Sequence, residues 1–260
     1  FDAGEPGLAG VAVSDGEHIV RSGRDGRYNL LARLGKTLFV IKPPGYVLPR
    51  RSDGLPDFFA NQASVVDGLK YGGVGQPDTP CKNFALKPSA GQDSRELNVL
   101  VLGDPQPKTA IDVGYYRDDI IAPLAQAPAA DLAITLGDIV SDDLRLLPDV
   151  KRIDSQLGLP WLYAAGNHDM DFDAAEDAVS LESFRAQFGP DTFAWEEAQA
   201  NFVVLDNVIS LPGQSPRYTG GLRESQFHFL ARYLAGADKN KLLVLSAHIP
   251  FLEEPGGKQS

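Results

Sequence analysis

Four compact apolar segments of the sequence are each followed by side chains that can bind a metal ion or transfer a proton. These side chains are Asp104 with Gln106, Asp138, Asn167 with His168 and Asp169, and His248. Three of the four segments place a glycine directly before the first polar residue, which lets the chain turn sharply and approach an ion closely. Carboxylate oxygen, amide oxygen and imidazole nitrogen together suit Mn²⁺, Fe, Zn²⁺ or Mg²⁺ better than copper.

This set of ligands predicts a pair of divalent cations. A carboxylate can bridge two ions, and ions about 3.5–4 Å apart can hold both an attacking hydroxide and the oxygens of a phosphoryl group. Residues 91–260 carry 13 Lys and Arg against 26 Asp and Glu, so an anionic substrate would need the cations to offset the field of the protein. The chemistry indicated is metal-assisted hydrolysis.

The apolar segments are typical of strands covered on both faces. They comprise residues 97–102, 132–136, 161–165, 202–205 and 242–245. Helices are predicted over residues 118–125, 148–156, 181–187 and 224–234. In the last helix, the buried face is predicted from residues that recur at helical spacing, namely Phe227, Leu230, Ala231 and Leu234. The alternation predicts an α/β layer sandwich whose strand ends gather the polar side chains on one rim.

The first ninety residues have a different pattern. Short β-branched or alternating segments, divided by turn-forming Gly, Asp and Ser, predict strands spaced about ten residues apart. These strands cover residues 10–13, 18–21, 27–32 and 37–41, and a last strand outside this spacing is predicted over residues 83–86. We therefore expect a small β-sandwich domain over residues 1–90, followed by the α/β domain over residues 91–260.

Composition excludes several classes of protein. The 260 residues carry a net charge of −11, of which residues 1–90 contribute +2 and residues 91–260 contribute −13. Nucleic-acid binding by a basic surface is therefore not expected. The single cysteine, Cys81, can form neither an intrachain disulfide nor a thiolate metal cluster. No apolar run reaches the roughly 18 residues of a membrane span, so no transmembrane segment is expected.

The motifs Gly103-Asp104-Pro105-Gln106, Gly137-Asp138 and Gly166-Asn167-His168-Asp169, with His248 after a later strand, resemble the ordered motifs of the calcineurin-like metallophosphoesterase superfamily. The resemblance covers about residues 96–260. It implies that Asp104 and Gln106 bind one ion and that Asp138 bridges both. It also implies that Asn167 and His248 bind the second ion.

The same resemblance implies the catalytic residues. His168 would protonate the leaving alkoxide or stabilise the transition state, and Asp169 would orient its ring. The β-rich first part resembles the N-terminal sandwich of some bacterial members of the superfamily. This similarity weakly implies a periplasmic, cell-envelope or secreted location.

The sequence departs from the family pattern at two points. Gln106 stands where most members have His, although a branch with Asp-Pro-Gln is known, and its neutral amide shifts the preference toward hard ions. No histidine follows His248, whereas the last family motif, Gly-His-x-His, supplies one ligand to each ion. We expect the sequence to lack the C-terminal part of the domain, which would weaken metal binding and can leave the chain inactive.

The function predicted is hydrolysis of phosphate mono- or diesters at a dinuclear metal centre, with the substrate left open. The alternative is a non-catalytic cell-envelope binding module that keeps a metallophosphoesterase-like scaffold. Some neighbouring polar groups also allow two interpretations. Asp142 and Asp143 either support the site or cap a solvated loop, and Asp206-Asn207 and residues 218–221 either contact substrate or serve as ordinary loops.

Overall fold

The computed structural model describes residues 5–31, 33–64, 66–75, 82–89, 96–127 and 129–251. Its helices are α1 (Ala110–Tyr115), α2 (Ala122–Leu124), α3 (Leu147–Asp154), α4 (Glu182–Phe188) and α5 (Glu224–Gly236). Its strands are β1 (Ala12–Ser14), β2 (Ile19–Arg21), β3 (Thr37–Val40), β4 (Tyr46–Val47), β5 (Phe59–Asn61), β6 (Lys87–Pro88), β7 (Val99–Leu102), β8 (Leu132–Leu136), β9 (Trp161–Ala164), β10 (Phe193–Glu196), β11 (Ala200–Val204), β12 (Val208–Ser210), β13 (Tyr218–Gly220) and β14 (Leu242–Ser246). The structure is mixed α/β, as the sequence predicts.

The N-terminal part is built around one antiparallel sheet with the strand order β2-β1-β3-β5. A separate two-stranded sheet pairs β4 with β6. The strand predicted over residues 27–32 is absent from the described residues 27–31. The strand predicted over residues 83–86 is also absent, and the nearest strand is β6.

Side-chain packing, rather than strand pairing, joins those two segments. The ring of Tyr28 stacks on Phe84 with the ring centroids 6.2 Å apart, and its hydroxyl donates to the carbonyl of Lys82 at 2.6 Å. The two strand predictions are therefore wrong for the described residues, although apolar side chains of the two segments do pack on each other.

Three parallel strands in the order β7-β8-β9 lead into three of the four predicted metal-binding loops. β8 and β9 are buried almost throughout, as expected for parallel strands between covering layers. Leu102 lies opposite Thr135, and Leu136 lies opposite Ala164. Because the strands run in one direction with this register, their carboxyl ends lie at the same edge of the sheet.

A second sheet, in the order β10-β11-β14, leads into the fourth loop. β10 and β11 are antiparallel, whereas β14 runs parallel to β11, with Val204 opposite Ser246. His248 follows β14 after one residue. A cavity of about 420 Å³ lies between the two sheets and is lined mainly by their apolar side chains.

The edge strands β7 and β14 are less covered than the sequence predicts. Val101 is 56% exposed and Leu242 is 66% exposed. Each strand lies at an edge of its sheet, so only one of its two hydrogen-bonding edges pairs with another strand among the described residues. The prediction of strands covered on both faces holds for β8, β9 and β11 but is wrong for β7 and β14.

Three of the four predicted helices, α3, α4 and α5, begin within one residue of the predicted position. The first helical segment begins earlier than predicted, at Ala110, because Thr109 and Asp112 form a capping box that satisfies backbone N–H groups. It continues through a π-helical turn, Tyr116–Ile121, into α2. None of the described helices is long and apolar enough to cross a membrane.

The face of α5 that packs on the core differs from the predicted one. Phe227 is 57% exposed and Leu234 is 39% exposed. The buried residues are Gln226, Phe229 and Tyr233. Gln226 tolerates burial because its amide nitrogen has two acceptors, at 2.7 and 2.8 Å, whereas helical spacing alone favoured the more apolar stripe.

The N-terminal sheet and the α/β part share one hydrophobic core. Phe39 of β3 packs edge-on against Phe193 and Phe229, with ring centroids 6.3 and 6.1 Å away. Just beyond β3, the buried Lys42 ammonium forms a 2.6 Å ion pair with Glu197. The scaffold that carries the rim of the parallel sheet is therefore braced by the N-terminal part.

Candidate metal centre

The four loops predicted to bind metal meet at the carboxyl edge of the β7-β8-β9 sheet. Asp104, Gln106 and Asp138 have positive φ angles of 43°, 43° and 50°. Residues with a side chain seldom adopt this left-handed region, and such conformations concentrate at functional sites. The backbone nitrogen of Gln106 donates to the carbonyl oxygen of Asp138 at 3.0 Å, which joins the loop after β7 to the loop after β8.

Two glycines allow these loops to approach closely. A methyl group on Gly137 would lie 2.8 Å from both the nitrogen of Gly166 and Nδ1 of His248, and φ of Gly137 is +93°. A methyl group on Gly166 would overlap with Asp138. Larger residues at either position would therefore push the rim apart.

Asp104, Asp138 and His248 form a group that can hold a metal ion, because one ligand atom from each lies within 4.8 Å of the others. Oδ1 of Asp138 lies 3.4 Å from Nε2 of His248, and Oδ1 of Asp104 lies 3.7 Å from Nδ1. Asp138 is 3% exposed, whereas the side chain of Asp104 faces solvent. The group thus has one buried carboxylate and one that an ion can reach from solvent.

The hydrogen bonds of His248 suit a metal ligand. Its Nδ1 lies 3.0 Å from the carbonyl oxygen of Leu136, to which it donates. This bond fixes the orientation of the ring, as in metal-binding histidines that are oriented by a backbone carbonyl. Nε2 lies 3.0 Å from Oδ1 of Asn167 and 3.4 Å from Oδ1 of Asp138. Nε2 of His248 and the two oxygens therefore point into one space.

Gln106 joins the same cluster through Asp138. Its side-chain Nε2 donates to Oδ2 of Asp138 at 2.5 Å. The structure thus brings together all five residues that the resemblance implies as metal ligands, through contacts that include Asp138 or His248. Among the described residues, the ion pairs of Asp104 and Asp138 involve only histidines, so no Lys or Arg there neutralises the two carboxylates.

His168 lies beside the cluster, with its ring held by Asp142. Nδ1 of His168 is 2.7 Å from Oδ1 of Asp142, and Nε2 is 3.9 Å from Oδ2 of Asp138. Its backbone nitrogen donates to Oδ1 of Asp138 at 2.9 Å. Of the two interpretations given to Asp142 from sequence, the contact favours support of the site. Asp143 instead caps a helical turn and pairs with Arg145 at the surface.

Asp169 does not contact the ring of His168 in the hydrogen bonds of the described residues, in contrast to the role that the resemblance implies. Its carboxylate is fully buried and accepts from the backbone nitrogens of Ile139, Val140 and Gly166 at 2.9–3.3 Å. Burial raises the pKa of Asp169 to about 7, and the three N–H donors oppose this shift. Asp169 thus ties the loop after β9 to the loop after β8.

The remaining polar loops have structural partners. Asp206 pairs with Arg223 at 2.6 Å. The side chain of Asn207 accepts from the nitrogen of Ile249 and donates to its carbonyl, which holds the chain just after His248. Residues 218–220 form β13. Sequence reasoning did not identify Asn207 as a support of His248, since only the parallel pairing of β11 with β14 brings them together.

The sequence model described as the N terminal of Calcineurin-like phosphoesterase matches residues 1–68. No curated protein matches the chain significantly. The family match covers the β-rich first part and is independent of the motifs after residue 96. It supports the calcineurin-like phosphoesterase superfamily, the same one that those motifs resemble.

Proposed function

We propose that this protein is a metal-dependent hydrolase of phosphate mono- or diesters with a dinuclear metal centre. The observation that carries the proposal is the convergence of three possible ligand atoms, with Nε2 of His248 3.0 Å from Asn167 Oδ1 and 3.4 Å from Asp138 Oδ1. An imidazole nitrogen, an amide oxygen and a carboxylate oxygen in this arrangement can ligate a divalent cation. The family match of residues 1–68 supports the same class of protein.

In this proposal, Asp104 and Gln106 would hold one ion, Asn167 and His248 would hold the other, and Asp138 would contribute to both. Mn, Fe, Zn or Mg ions fit these oxygen and nitrogen donors. When bound, the ions would polarise the phosphoryl group and lower the pKa of the water that attacks phosphorus. The buried position of Asp138 supports its place between the ions, because it contacts both the Gln106 and the His248 side of the cluster.

His168 supplies the proton. As the bond from phosphorus to the ester oxygen breaks, Nε2–H of His168 donates to the leaving alkoxide, so that an alcohol departs. Asp142, 2.7 Å from Nδ1, stabilises the protonated ring before this transfer. Asp169 keeps the loop of His168 next to the loop of Asp138 through its three backbone contacts.

We also propose the domain organisation: a β-sandwich domain over residues 1–90 and an α/β layer sandwich over residues 91–260 that further β-structure completes. The apolar edge strands β7 and β14 support this extension, because natural proteins cover or charge such edges. The added segment would bring the ligands that the Gly-His-x-His motif supplies in the resembling family.

The test is hydrolysis of 4-nitrophenyl phosphate and bis(4-nitrophenyl) phosphate with Mn²⁺, measured on residues 1–260 and on the chain extended by its downstream coding sequence. We expect the extended chain to hydrolyse at least one ester and Asp138→Asn to lose at least about 100-fold in kcat, as expected when a charge-stabilising group is removed.

The matched control is Asp143→Asn, which removes a carboxylate of the same rim that pairs with Arg145 outside the cluster. It should keep most of the activity. An extended chain that binds Mn²⁺ but hydrolyses neither ester would contradict the proposal and favour the non-catalytic envelope module. Equal activity in Asp138→Asn and the unmodified chain would remove the assigned role of Asp138.

A further inference from the structure

The hairpin formed by β12 and β13 contacts the chain segments that follow two histidines of the candidate site. It follows β11, and β11 runs parallel to β14, so the hairpin begins at the sheet edge that also presents His248. The side chain of Asn207, directly before β12, forms two hydrogen bonds with the backbone of Ile249. A methyl group on Gly220 of β13 would lie 3.2 Å from the Ile249 side chain. One side of the hairpin therefore lies against the residue that follows His248.

The other side of the hairpin contacts the chain that follows His168. The backbone nitrogen of Ser210 donates to Oδ1 of Asp177 at 2.7 Å. The central guanidinium carbon of Arg217 lies 3.7 Å from the centroid of the Phe172 ring, and Phe172 is four residues beyond His168. The hairpin thus carries a guanidinium on the side of the rim where His168 lies.

The guanidinium of Arg217 is held in place but is not neutralised. Arg217 is exposed, and in the part of the chain that the structure describes it forms no ion pair with a carboxylate. Stacking on an aromatic ring uses the face of the guanidinium and leaves the N–H groups at its edge free to donate to an oxyanion. Residues 91–260 carry 13 Lys and Arg against 26 Asp and Glu, so this group is a local positive charge in an acidic surrounding.

Two other arginines of the α/β part show what a neutralised guanidinium looks like here. Arg145 pairs with Asp143 at 2.7 Å, and two carboxylates share Arg223. Of these three arginines, only Arg217 lacks a carboxylate partner among the described residues, so its charge is available to a bound anion.

We propose that Arg217 is a specificity-determining residue that binds a second oxyanion on the alcohol part of the phosphate ester. Its place on the His168 side favours the alcohol part, because His168 gives its proton to the leaving alkoxide in the proposed function. Binding energy from a part of the substrate that does not react can raise kcat/KM. The inference rests on the proposed function for the reaction, whereas oxyanion binding by Arg217 is measured without turnover.

The first test is the binding of two non-hydrolysable phosphonates to the Mn²⁺-loaded extended chain, measured by isothermal titration calorimetry. Phenylphosphonate and 4-carboxyphenylphosphonate differ only in the second oxyanion. We expect the carboxylated compound to bind about tenfold more tightly, because a guanidinium–carboxylate contact is charge-assisted. Arg217→Ala should abolish this preference. Arg217→Lys, which keeps the charge but not the stacked planar group, should retain part of it.

Arg145→Ala is the matched control, because it removes an exposed arginine whose charge Asp143 already neutralises. It should keep the preference of the unmodified chain. Equal affinities of the two phosphonates in the unmodified chain, or no binding of either, would overturn the role of Arg217. A preference that survives in Arg217→Ala would overturn it as well.

The second test is the hydrolysis of phenyl phosphate and 4-carboxyphenyl phosphate by the same variants. We expect Arg217→Ala to lower the kcat/KM of the carboxylated ester, relative to that of phenyl phosphate, about tenfold; comparing variants cancels the intrinsic reactivities of the esters. An unchanged ratio would overturn the role of Arg217 and leave the proposed function intact. If neither these monoesters nor bis(4-nitrophenyl) phosphate is hydrolysed while the phosphonate preference depends on Arg217, the proposed function fails and the oxyanion site stands.

Discussion

Two clusters of acidic side chains in this protein differ in the positive groups that lie beside their buried carboxylates. The rim cluster consists of Asp104, Asp138, Asn167 and His248, and the Arg223 cluster consists of Arg223, Asp177 and Asp206. Asp138 and Asp206 are each 3% exposed. Asp206, together with Asp177, binds the guanidinium of Arg223 at 2.5–2.6 Å. Asp138 has no such cation among the described residues.

The difference shows which cluster is built to receive a cation. A buried carboxylate without a positive partner costs free energy, and proteins keep such groups where a metal or a substrate supplies the charge. Of the two clusters, only the rim cluster has carboxylates without a Lys or Arg partner among the described residues. Two of its residues, Asp104 and Asp138, also have left-handed backbone. The Arg223 cluster contains its own positive group, the Arg223 guanidinium, which Asp177 and Asp206 share.

Removing the guanidinium of Arg223 should have the largest effect on the free energy of unfolding. Arg223→Ala should lower the free energy of unfolding by about 3–5 kcal/mol, because it leaves Asp206 buried without a partner. Asp138→Asn should cost the metal-free protein less than Arg223→Ala, since among the described residues no Lys or Arg pairs with Asp138. Urea unfolding measures both. Arg145→Ala, which breaks an exposed ion pair with Asp143, is the control and should cost less than about 1 kcal/mol. Similar losses in Arg223→Ala and Arg145→Ala would contradict the distinction.

An added cation should act on the rim cluster alone. Mn²⁺ at one hundred times its dissociation constant should raise the free energy of unfolding of the unmodified chain by about 2.7 kcal/mol. For a chain of this size, that corresponds to roughly 5–10 °C in melting temperature. Asp138→Asn should abolish the shift, whereas Asp177→Asn should keep it from a lower starting temperature. A shift that survives in Asp138→Asn would place the cation elsewhere.

A third kind of buried carboxylate has only hydroxyl partners among the hydrogen bonds of the described residues. Asp154 of α3 accepts from the hydroxyls of Tyr116 and Tyr163 at 2.7 and 2.9 Å, and burial raises its pKa to about 7. The folded protein therefore holds this proton more tightly than the unfolded chain does. The stability that the proton provides is complete below about pH 4 and is lost as the pH rises to about 7.

The difference in free energy of unfolding between the unmodified protein and Asp154→Asn should fall by at most about 1.4 kcal/mol per pH unit over this range. Urea unfolding at several pH values measures it, and the difference at one pH cancels the other titrating groups. A difference that is constant between pH 4 and pH 7 would show that Asp154 is ionised throughout.

Much of the scaffold of the site could be predicted from sequence. The strands before Asp104, Asp138, Asn167 and His248 are apolar and end at the polar residue, and parallel strands must present their carboxyl ends at one edge. The strand ends mark the polar residues of these loops, and the resemblance to the superfamily implies which five of them bind metal. It could not give the coverage of β7 and β14, because burial of an edge depends on what packs beside it.

Helical periodicity was a weaker guide than strand ends. The stripe of Phe227 and Leu234 on α5 satisfies helical spacing as well as the observed face of Phe229 and Tyr233 does. The choice between the two faces was made by the acceptors for Gln226 and by the pocket that receives Phe229 beside Phe39. The hydropathy pattern of a single helix gives no information about the acceptors for Gln226 or about the packing of Phe229.

The sequence by itself determined the types of the main elements after residue 96, the acidic charge of that part and the residues that can bind a cation, because these follow from local patterns and composition. Only the tertiary structure decided that Asp142 rather than Asp169 holds the ring of His168, that Arg217 stacks on Phe172, and that Arg223 neutralises Asp206. The physical reason is that these side chains meet across elements distant in sequence, where a pairing depends on distances of a few ångströms that no local pattern encodes.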